Sequence, residues 1–229
     1  MASILTIADM LAANARLQPK VVGVRDLERE MTFELWHCRA ERLAGALARL
    51  GLKKGDRIAV LAYNRIEWAE IYVAVARAGF IAVPINFRLS AQEISFICRD
   101  CAVAAIIAET AFVGVIAEIQ HELASHLSVM IAIGGTDNDS WHDYETLLTT
   151  ETDLELAFSV CPDDTWCLMY TSGTTGNPKG AIRSHRTSSL IAMMTCVELG
   201  FGRRDNGLLV MPMCHANSLY FFISLLSVG

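Results

Sequence analysis

The sequence predicts an α/β fold in which helices flank a mostly parallel sheet. Amphipathic helical segments alternate with short apolar runs along the chain, as in a succession of strand–helix–strand units. Two of these runs, Val103–Ala108 and Val129–Ile133, are apolar throughout, which is typical of strands buried on both faces. Hydrophobic residues make up 53% of the 229 residues and charged residues 19%, which favours a buried core over disorder.

The first half of the chain predicts four helices separated by short strands. The first helix covers Ile7–Leu17, the second starts after the N-cap Thr32 and ends at Gly51, and the third extends from an N-cap at Asn64 to Gly79. A capping box formed by Ser90 and Glu93 opens the fourth helix. The strands expected between these helices are Val21–Arg25, Met31–Phe33, Arg57–Leu61 and Phe80–Val83.

The second half continues the alternation. A helix of roughly a dozen residues fits between the two apolar strands. Beyond them we expect strands at Thr165–Met169, Ala181–Ser184 and Leu208–Met211, a helix from about Arg186, and a terminal helix at Ser218–Val228. His185, between a strand and a helix, is expected to be a solvated turn or helix-start residue.

Charge and hydropathy exclude several classes of function. The net charge of −6 offers no basic surface for nucleic acid or for an anionic membrane. No stretch reaches the roughly 18 uninterrupted apolar residues that a membrane helix needs. The N-terminus lacks a basic region followed by an apolar core, so a secretory signal is not expected.

The cysteines indicate a reducing compartment. Seven scattered cysteines do not form a disulfide framework, so we expect a cytoplasmic protein. Cys98 and Cys101 form one C-x-x-C motif, which has a redox or half-zinc-site interpretation. The favoured alternative is two small apolar side chains near the end of a helix. No metal ligands are predicted.

The segment Tyr170–Gly180, with the sequence YTSGTTGNPKG, has the composition of a polyphosphate cradle. It follows an apolar strand, where α/β folds bind ligands. Its glycines allow close approach of the backbone to an anion, and successive N–H groups in such a loop can form an anion-binding nest. Several hydroxyls add donors, and Lys179 adds a positive charge suited to phosphate. A polar surface turn is the alternative; the spacing is not that of a Walker A loop, because Pro178 stands five residues after Gly173.

This segment resembles the phosphate-binding signature of the adenylate-forming superfamily, which includes acyl-CoA synthetases, luciferases and peptide-synthetase adenylation domains. Residues 31–61 and 78–86 also resemble segments of that family, in the family's order. The resemblance implies ATP, Mg²⁺ and coenzyme A as cofactor and co-substrates. The residues that it assigns to the β- and γ-phosphates of ATP are Thr171, Ser172, Gly173, Thr174, Thr175, Gly176 and Lys179.

A second candidate site is the segment around His215, which resembles the P-x-x-H segment of acyl- and aryl-CoA synthetases. In that family the histidine or aromatic residue lines the pocket for the carboxylate substrate. The alternative is a loop histidine with a local hydrogen bond. Amino-acid-activating relatives carry a Phe-Asp pair there, whereas this chain has His215-Ala216, so the resemblance implies a carboxylic acid without an α-amino group.

The implied activity is AMP-forming acid–CoA ligation. A substrate carboxylate attacks the α-phosphorus of ATP and pyrophosphate leaves; the thiol of coenzyme A then displaces AMP. Residues 1–229 correspond to an incomplete N-terminal portion of the family's large domain. The rest of that domain, and a mobile C-terminal domain with the catalytic lysine, are expected outside them, so no catalytic residue is assigned here.

Three hypotheses follow for the chain. It is the front of an acyl-CoA synthetase, a non-catalytic short form that binds nucleotide or a partner, or an unrelated phosphate-binding module that shares the loop. The sequence fixes neither the acid nor the oligomeric state.

Residues 1–229 alone are expected to form negligible AMP or acyl-CoA, because much of the family's machinery lies outside them. Carboxylate-dependent exchange between ATP and labelled pyrophosphate measures the first half-reaction. Robust exchange by the purified 229-residue chain would show that the expectation is wrong.

Overall fold

The computed structural model describes residues 6–149, 159–171 and 178–229. The helices are α1 (Ile7–Leu17), α2 (Phe33–Arg49), α3 (Glu67–Ala78), α4 (Ala91–Asp100), α5 (Val113–Leu123), α6 (Tyr144–Thr149), α7 (His185–Leu199) and α8 (Ala216–Val228). The strands are β1 (Val22–Arg25), β2 (Glu30–Thr32), β3 (Arg57–Leu61), β4 (Ile81–Pro84), β5 (Ala105–Glu109), β6 (Val129–Ile133), β7 (His142–Asp143), β8 (Thr165–Thr171) and β9 (Lys179–Ser184). Among these residues, no helix is both long and apolar enough to cross a membrane.

A mostly parallel sheet organises the chain, which confirms the predicted fold class. Its strand order is β7-β6-β5-β3-β4-β8-β9, and neighbouring strands are parallel except for the antiparallel pair β8–β9. Strands β1 and β2 form a separate antiparallel pair.

Helices cover both faces of the sheet, so successive side chains of a central strand enter different cores. In β3, Ile58 and Val60 belong to a core shared with α1, α2, α3 and α8. Ala59 and Leu61 belong to the second core, shared with α4 and α5. Burial on both faces explains why these strands are continuous apolar runs in the sequence.

Local capping signals predicted most helix ends correctly. The Thr32 side chain accepts the N–H of Leu35, and Ser90 and Glu93 form the expected capping box. Gly79 ends α3 with φ +67°, a left-handed conformation that glycine adopts without the steric cost of a Cβ. The prediction for Asn64 was wrong, because α3 begins at Glu67 and Ile66 occupies its N-cap without a side-chain hydrogen bond.

The strand expected at Leu208–Met211 does not form. No described strand lies alongside to pair with it, and the carbonyls of Leu209 and Met211 instead accept the Asn64 side-chain amide at 3.2 and 2.9 Å. An apolar run without a neighbouring strand has no ladder to join.

The C-x-x-C motif has the apolar role that was favoured for it. Cys98 packs in the second core, and Cys101 is the C-cap of α4. Burial raises the pKa of the Cys98 thiol to about 12, which keeps it protonated at neutral pH. All seven cysteines are free.

Helix α3 carries two buried carboxylates, and each has arginine partners. Glu67 accepts the Arg29 guanidinium at 2.8 Å and the Arg65 guanidinium at 2.7 Å. Glu70 pairs with Arg39 and accepts the Tyr144 hydroxyl at 2.6 Å. A buried carboxylate is tolerated only when paired in this way.

Replacing Glu67 with Gln should destabilise the protein at neutral pH and much less in acid. Burial would raise the pKa of Glu67, but hydrogen bonds from Arg29 and Arg65 outweigh it and lower the pKa from 4.5 to about 2, a stabilisation on the order of 3 kcal/mol. Because the folded pKa is depressed, this stabilisation is present above about pH 4.5 and is lost as the pH falls towards 2.

Urea unfolding of the wild type and the Glu67→Gln variant from pH 7 to pH 2.5 tests this expectation. Glu118→Gln, an exposed substitution on α5, is the matched control and should change little. A free-energy difference between wild type and Glu67→Gln that stays constant with pH would contradict the assignment.

Candidate functional site

Strands β8 and β9 form a hairpin that brings the two described ends of the predicted phosphate loop together. Thr171 is the last residue of β8 and Lys179 the first of β9, and the two are cross-strand partners. Tyr170 and Gly180 form the next pair. The hairpin is longer than the sequence predicted, because pairing extends β8 to Thr171 and starts β9 at Lys179.

Both ends of the loop face solvent. The side chains of Thr171 and Lys179 are exposed. None of the ion pairs among the described residues involves Lys179, so its ammonium group has no carboxylate partner there. An unpaired cation at the base of a Gly- and hydroxyl-rich loop is available for an anionic ligand.

The remaining loop residues assigned from the sequence lie outside the described residues. These are Ser172, Gly173, Thr174, Thr175 and Gly176. Their contact with phosphate stays a prediction from the motif.

The hairpin is joined to the sheet and to α3 at its opposite end. Ala82 of β4 pairs with Cys167 of β8, and the indole N–H of Trp166 donates to the carbonyl of Tyr72 at 3.0 Å. Both Trp166 and Tyr72 are fully buried. The base of the hairpin is therefore part of the core, whereas the ends that carry Thr171 and Lys179 are outside it.

His185, which follows β9, was expected to be solvated, but the structure shows that it is buried. Its Nδ1 accepts the backbone N–H of Ile7 at 3.4 Å, and its ring lies 6.3 Å from that of Trp166. Burial lowers the pKa of His185 to about 4. The residue therefore packs α1 against α7, a contact between parts of the chain too distant for sequence patterns to show.

His215 is at the N-terminus of α8 with an exposed side chain. Its backbone N–H donates to the Pro212 carbonyl at 2.9 Å, and its carbonyl accepts the N–H of Leu219 at 3.1 Å. No hydrogen bond in the described part of the chain involves its imidazole, so the local hydrogen-bonding alternative finds no support there. Within the described part of the chain, the ring is exposed and available to a ligand.

Asn64 and Tyr72 hold the segment before His215 in place. The Asn64 side chain accepts the N–H of Met213 at 2.8 Å in addition to binding the Leu209 and Met211 carbonyls, and the Tyr72 hydroxyl donates to the Met213 carbonyl at 2.8 Å. Sequence patterns did not mark Asn64 as a residue that supports the candidate site. Its place just beyond strand β3 was the available signal.

The His215 segment lies near the chain that leaves strand β4. The buried Cys214 is close to Phe87 and Arg88, which follow β4. Burial raises the pKa of the Cys214 thiol to about 11, so it stays protonated at neutral pH. The segment therefore meets the polypeptide that leaves β3 and β4 at their carboxyl ends.

A cation–π contact connects the hairpin with α8, the helix that begins after His215. The Arg183 guanidinium of β9 lies 4.5 Å from the ring centre of Tyr220 on α8, within cation–π distance. No hydrogen bond among the described residues joins His215 directly to Thr171 or Lys179. The two candidate segments are thus anchored separately and meet through α8.

The described residues do not provide a ready-made metal site. They contain no group of three or more His, Cys, Asp or Glu side chains placed to hold a metal ion. Protein Mg²⁺ sites often use only one or two carboxylates and complete the coordination shell with substrate phosphates and water.

The chain is thus an α/β domain whose Gly/Thr-rich signature segment joins β8 to its antiparallel partner β9. A family model described as AMP-binding enzyme matches residues 11–229. The chain belongs to the AMP-binding enzyme family. The hypothesis of an unrelated phosphate-binding module is therefore wrong.

Curated relatives and solved structures agree with this family. The chain is 36% identical over 204 residues to the long-chain-fatty-acid–CoA ligase FadD13 of Mycobacterium tuberculosis, covering 89% of this chain and 39% of the relative. It is 34% identical over 199 residues to the medium-chain-fatty-acid–CoA ligase of Ectopseudomonas oleovorans, covering 82% and 36%. The anthranilate CoA ligase AuaEII, solved with anthranoyl-AMP, superimposes with a TM-score of 0.93 at 26% identity, covering 100% of this chain and 44% of that one.

The chain spans well under half the length of these relatives. We therefore assign the activity of a whole ligase to this chain only as a proposal.

Replacing Asn64 with Ala should loosen the segment before His215 without unfolding the sheet. The Met213 N–H loses its acceptor and two carbonyls lose a donor, which should weaken local protection by about 1 kcal/mol. Amide hydrogen exchange at Met213 measures the effect. Asn138→Ala, which breaks only a local turn around Ser140, is the control, and equal exchange at Met213 in both variants would contradict the anchoring role.

Proposed function

We propose that residues 1–229 form the N-terminal part of the large domain of an ATP-dependent, AMP-forming acid–CoA ligase. The observation that carries the proposal is the cross-strand pair Thr171–Lys179, which closes the signature loop at its base and leaves its lysine without an acidic partner in the described part of the chain. The names of the relatives, which are CoA ligases of fatty and aromatic acids, support the reaction class.

Lys179 and the loop are proposed to bind the β- and γ-phosphates of ATP. The ammonium group neutralises charge that develops on the departing pyrophosphate, and the loop N–H and hydroxyl groups add donors. Mg²⁺ bound with the nucleotide would supply further neutralisation of phosphate charge. Thr171 is placed to contribute a hydroxyl, because its backbone is fixed by pairing with Lys179.

His215 is proposed to line the pocket for the acid. Its ring is exposed at the start of α8, and the backbone before it is anchored by Asn64 and Tyr72. Ala216, the next residue, has no carboxylate to hold an ammonium group, which supports an acid without an α-amino group.

The proposed reaction proceeds in two steps. An oxygen of the substrate carboxylate bonds to the α-phosphorus of ATP as the bond to pyrophosphate breaks, giving an acyl-adenylate. The sulfur of coenzyme A then bonds to the acyl carbon, the bond to AMP breaks, and the thiol proton is released. In the first step, these residues act by positioning and by charge neutralisation.

A cytoplasmic location is part of the proposal. Its support is the set of seven scattered cysteines, an odd number that suits a reducing compartment.

Replacing Lys179 with Ala in the full-length protein should lower kcat/KM for ATP by about tenfold to a hundredfold, because a charge-assisted contact to phosphate is lost. The measurement is carboxylate-dependent exchange of labelled pyrophosphate into ATP, with a panel of fatty and aromatic acids. Lys53→Ala, an exposed lysine in the turn before β3, is the matched control and should match wild type.

The two ways in which this experiment can fail are distinct. A full-length wild type that exchanges pyrophosphate with no acid in the panel would contradict the proposed function. An active wild type with an equally active Lys179→Ala variant would contradict only the role of Lys179.

A further inference from the structure

Tyr170 stands immediately before the loop, and neither its hydroxyl nor its ring has yet been given a role. Its hydroxyl donates to the Asp100 carboxylate of α4 at 2.5 Å. Its ring lies against Gly180, its cross-strand partner, so closely that a Cβ at position 180 would stand 3.1 Å from the ring. The phenol therefore covers the glycine on the edge strand and reaches helix α4.

Gly180 has an extended backbone conformation that other residues adopt, so its lack of a side chain is explained by space. A Cβ at 3.1–3.2 Å from two ring atoms would push the Tyr170 ring by a few tenths of an ångström. An aromatic ring packed over a glycine in a neighbouring strand is a known way of fixing strand register. Gly180 and Tyr170 thus depend on each other sterically.

Asp100 is poorly placed for the stability of its own helix. It is the last residue of α4, where a negative charge opposes the helix dipole. In the described part of the chain, the Tyr170 hydroxyl is its hydrogen-bond partner. The hydrogen bond to Tyr170 therefore gives a reason for a carboxylate at a position where it destabilises the helix.

The end of α4 is a rigid point of attachment. The Arg57 guanidinium, at the start of β3, donates to the carbonyls of Cys101 at 2.5 Å and Ala102 at 2.6 Å. Cys98, one turn earlier, packs in the second core. A hydrogen bond to Asp100 therefore ties the hairpin to the central sheet through α4.

The hairpin needs such an attachment near its loop end. Strand β8 has a single registered partner residue in β4, the pair Ala82–Cys167, and β9 is the sheet edge within the described residues. Tyr170 is three residues beyond Cys167 in the chain. Its contacts reach a part of the hairpin that the parallel sheet does not hold.

We propose that Tyr170 is a positioning residue for ATP: its bond to Asp100 and its packing on Gly180 fix the hairpin stem that carries Thr171 and Lys179. The proposal rests on the proposed function, because it concerns the orientation of the same phosphate-binding lysine. Tyr170 itself need not touch the nucleotide. Burial, assisted by the bond to Asp100, raises the pKa of the Tyr170 hydroxyl, so it remains a proton donor across the physiological pH range.

The test uses the full-length protein with Tyr170→Phe, Asp100→Ala, Asp100→Asn and the double variant Tyr170→Phe/Asp100→Ala. Loss of this one solvent-exposed hydrogen bond should raise KM for ATP about fivefold and leave KM for the acid unchanged. Asp100→Asn, which keeps an acceptor oxygen, should restore much of the wild-type KM. The double variant should be no worse than Tyr170→Phe, since both single changes remove the same bond.

A second readout does not depend on activity. Amide hydrogen exchange of the stem residues around Tyr170 and Gly180 should speed up about fivefold in Tyr170→Phe. Tyr144→Phe is the matched control, because it also removes a tyrosine–carboxylate bond, the one to Glu70. Among the described residues, that pair is hydrogen-bonded to Arg39 and, through it, to Glu145, and to no residue of the hairpin. Tyr144→Phe should lower the melting temperature without changing KM for ATP.

The outcomes separate the two proposals. Unchanged stem exchange and unchanged KM for ATP in Tyr170→Phe would overturn the inference. Faster exchange with unchanged KM for ATP would show a structural bond and overturn the positioning role. A wild type without acid-dependent exchange of pyrophosphate would overturn the proposed function itself, whereas the amide-exchange result would still report on the bond.

Discussion

The burial of helix α3 is the constraint on which much of the arrangement depends. Almost all of its residues are inaccessible to solvent, including the carboxylates of Glu67 and Glu70. Those charges require arginine partners from α2 and from the turn between β1 and β2, so the ion pairs follow from the burial. Tyr72 on the same helix then binds both Trp166 and Met213, which places the hairpin strand and the His215 segment relative to one core.

Because helices cover both faces of the sheet, its edges and the ends of its strands are the parts that remain accessible to a ligand. Side chains in the middle of β3 and β5 are committed to the two cores. Polar groups collect where strands stop: Asn64 beyond β3, and Thr171 and Lys179 where β8 turns into β9. The candidate site consequently lies in segments that follow the strands. The Asn64 side chain binds the backbone before His215, and the Tyr170 hydroxyl donates to Asp100 of α4.

Interactions within a few residues were predictable, and interactions across the chain were not. The helix signals at Thr32, Ser90 and Gly79 work locally, and the structure confirms them. Asn64 looked like a cap but binds backbone groups nearly 150 residues later, and His185 looked solvated but packs against the first helix. The run Leu208–Met211 has strand composition, yet a strand forms only where another strand lies beside it.

The sequence by itself determined the α/β class, most element boundaries and the signature Tyr170–Gly180, because periodicity, capping and motif spacing are local properties of the chain. Only the tertiary structure decided that Thr171 pairs with Lys179 and that the Arg183 guanidinium connects the hairpin to α8. It also placed the Tyr170 hydroxyl on Asp100, 70 residues away in the chain. Such contacts depend on how helices and strands pack against one another. They join residues that are distant in the chain, and local sequence patterns do not show which distant residues will be in contact.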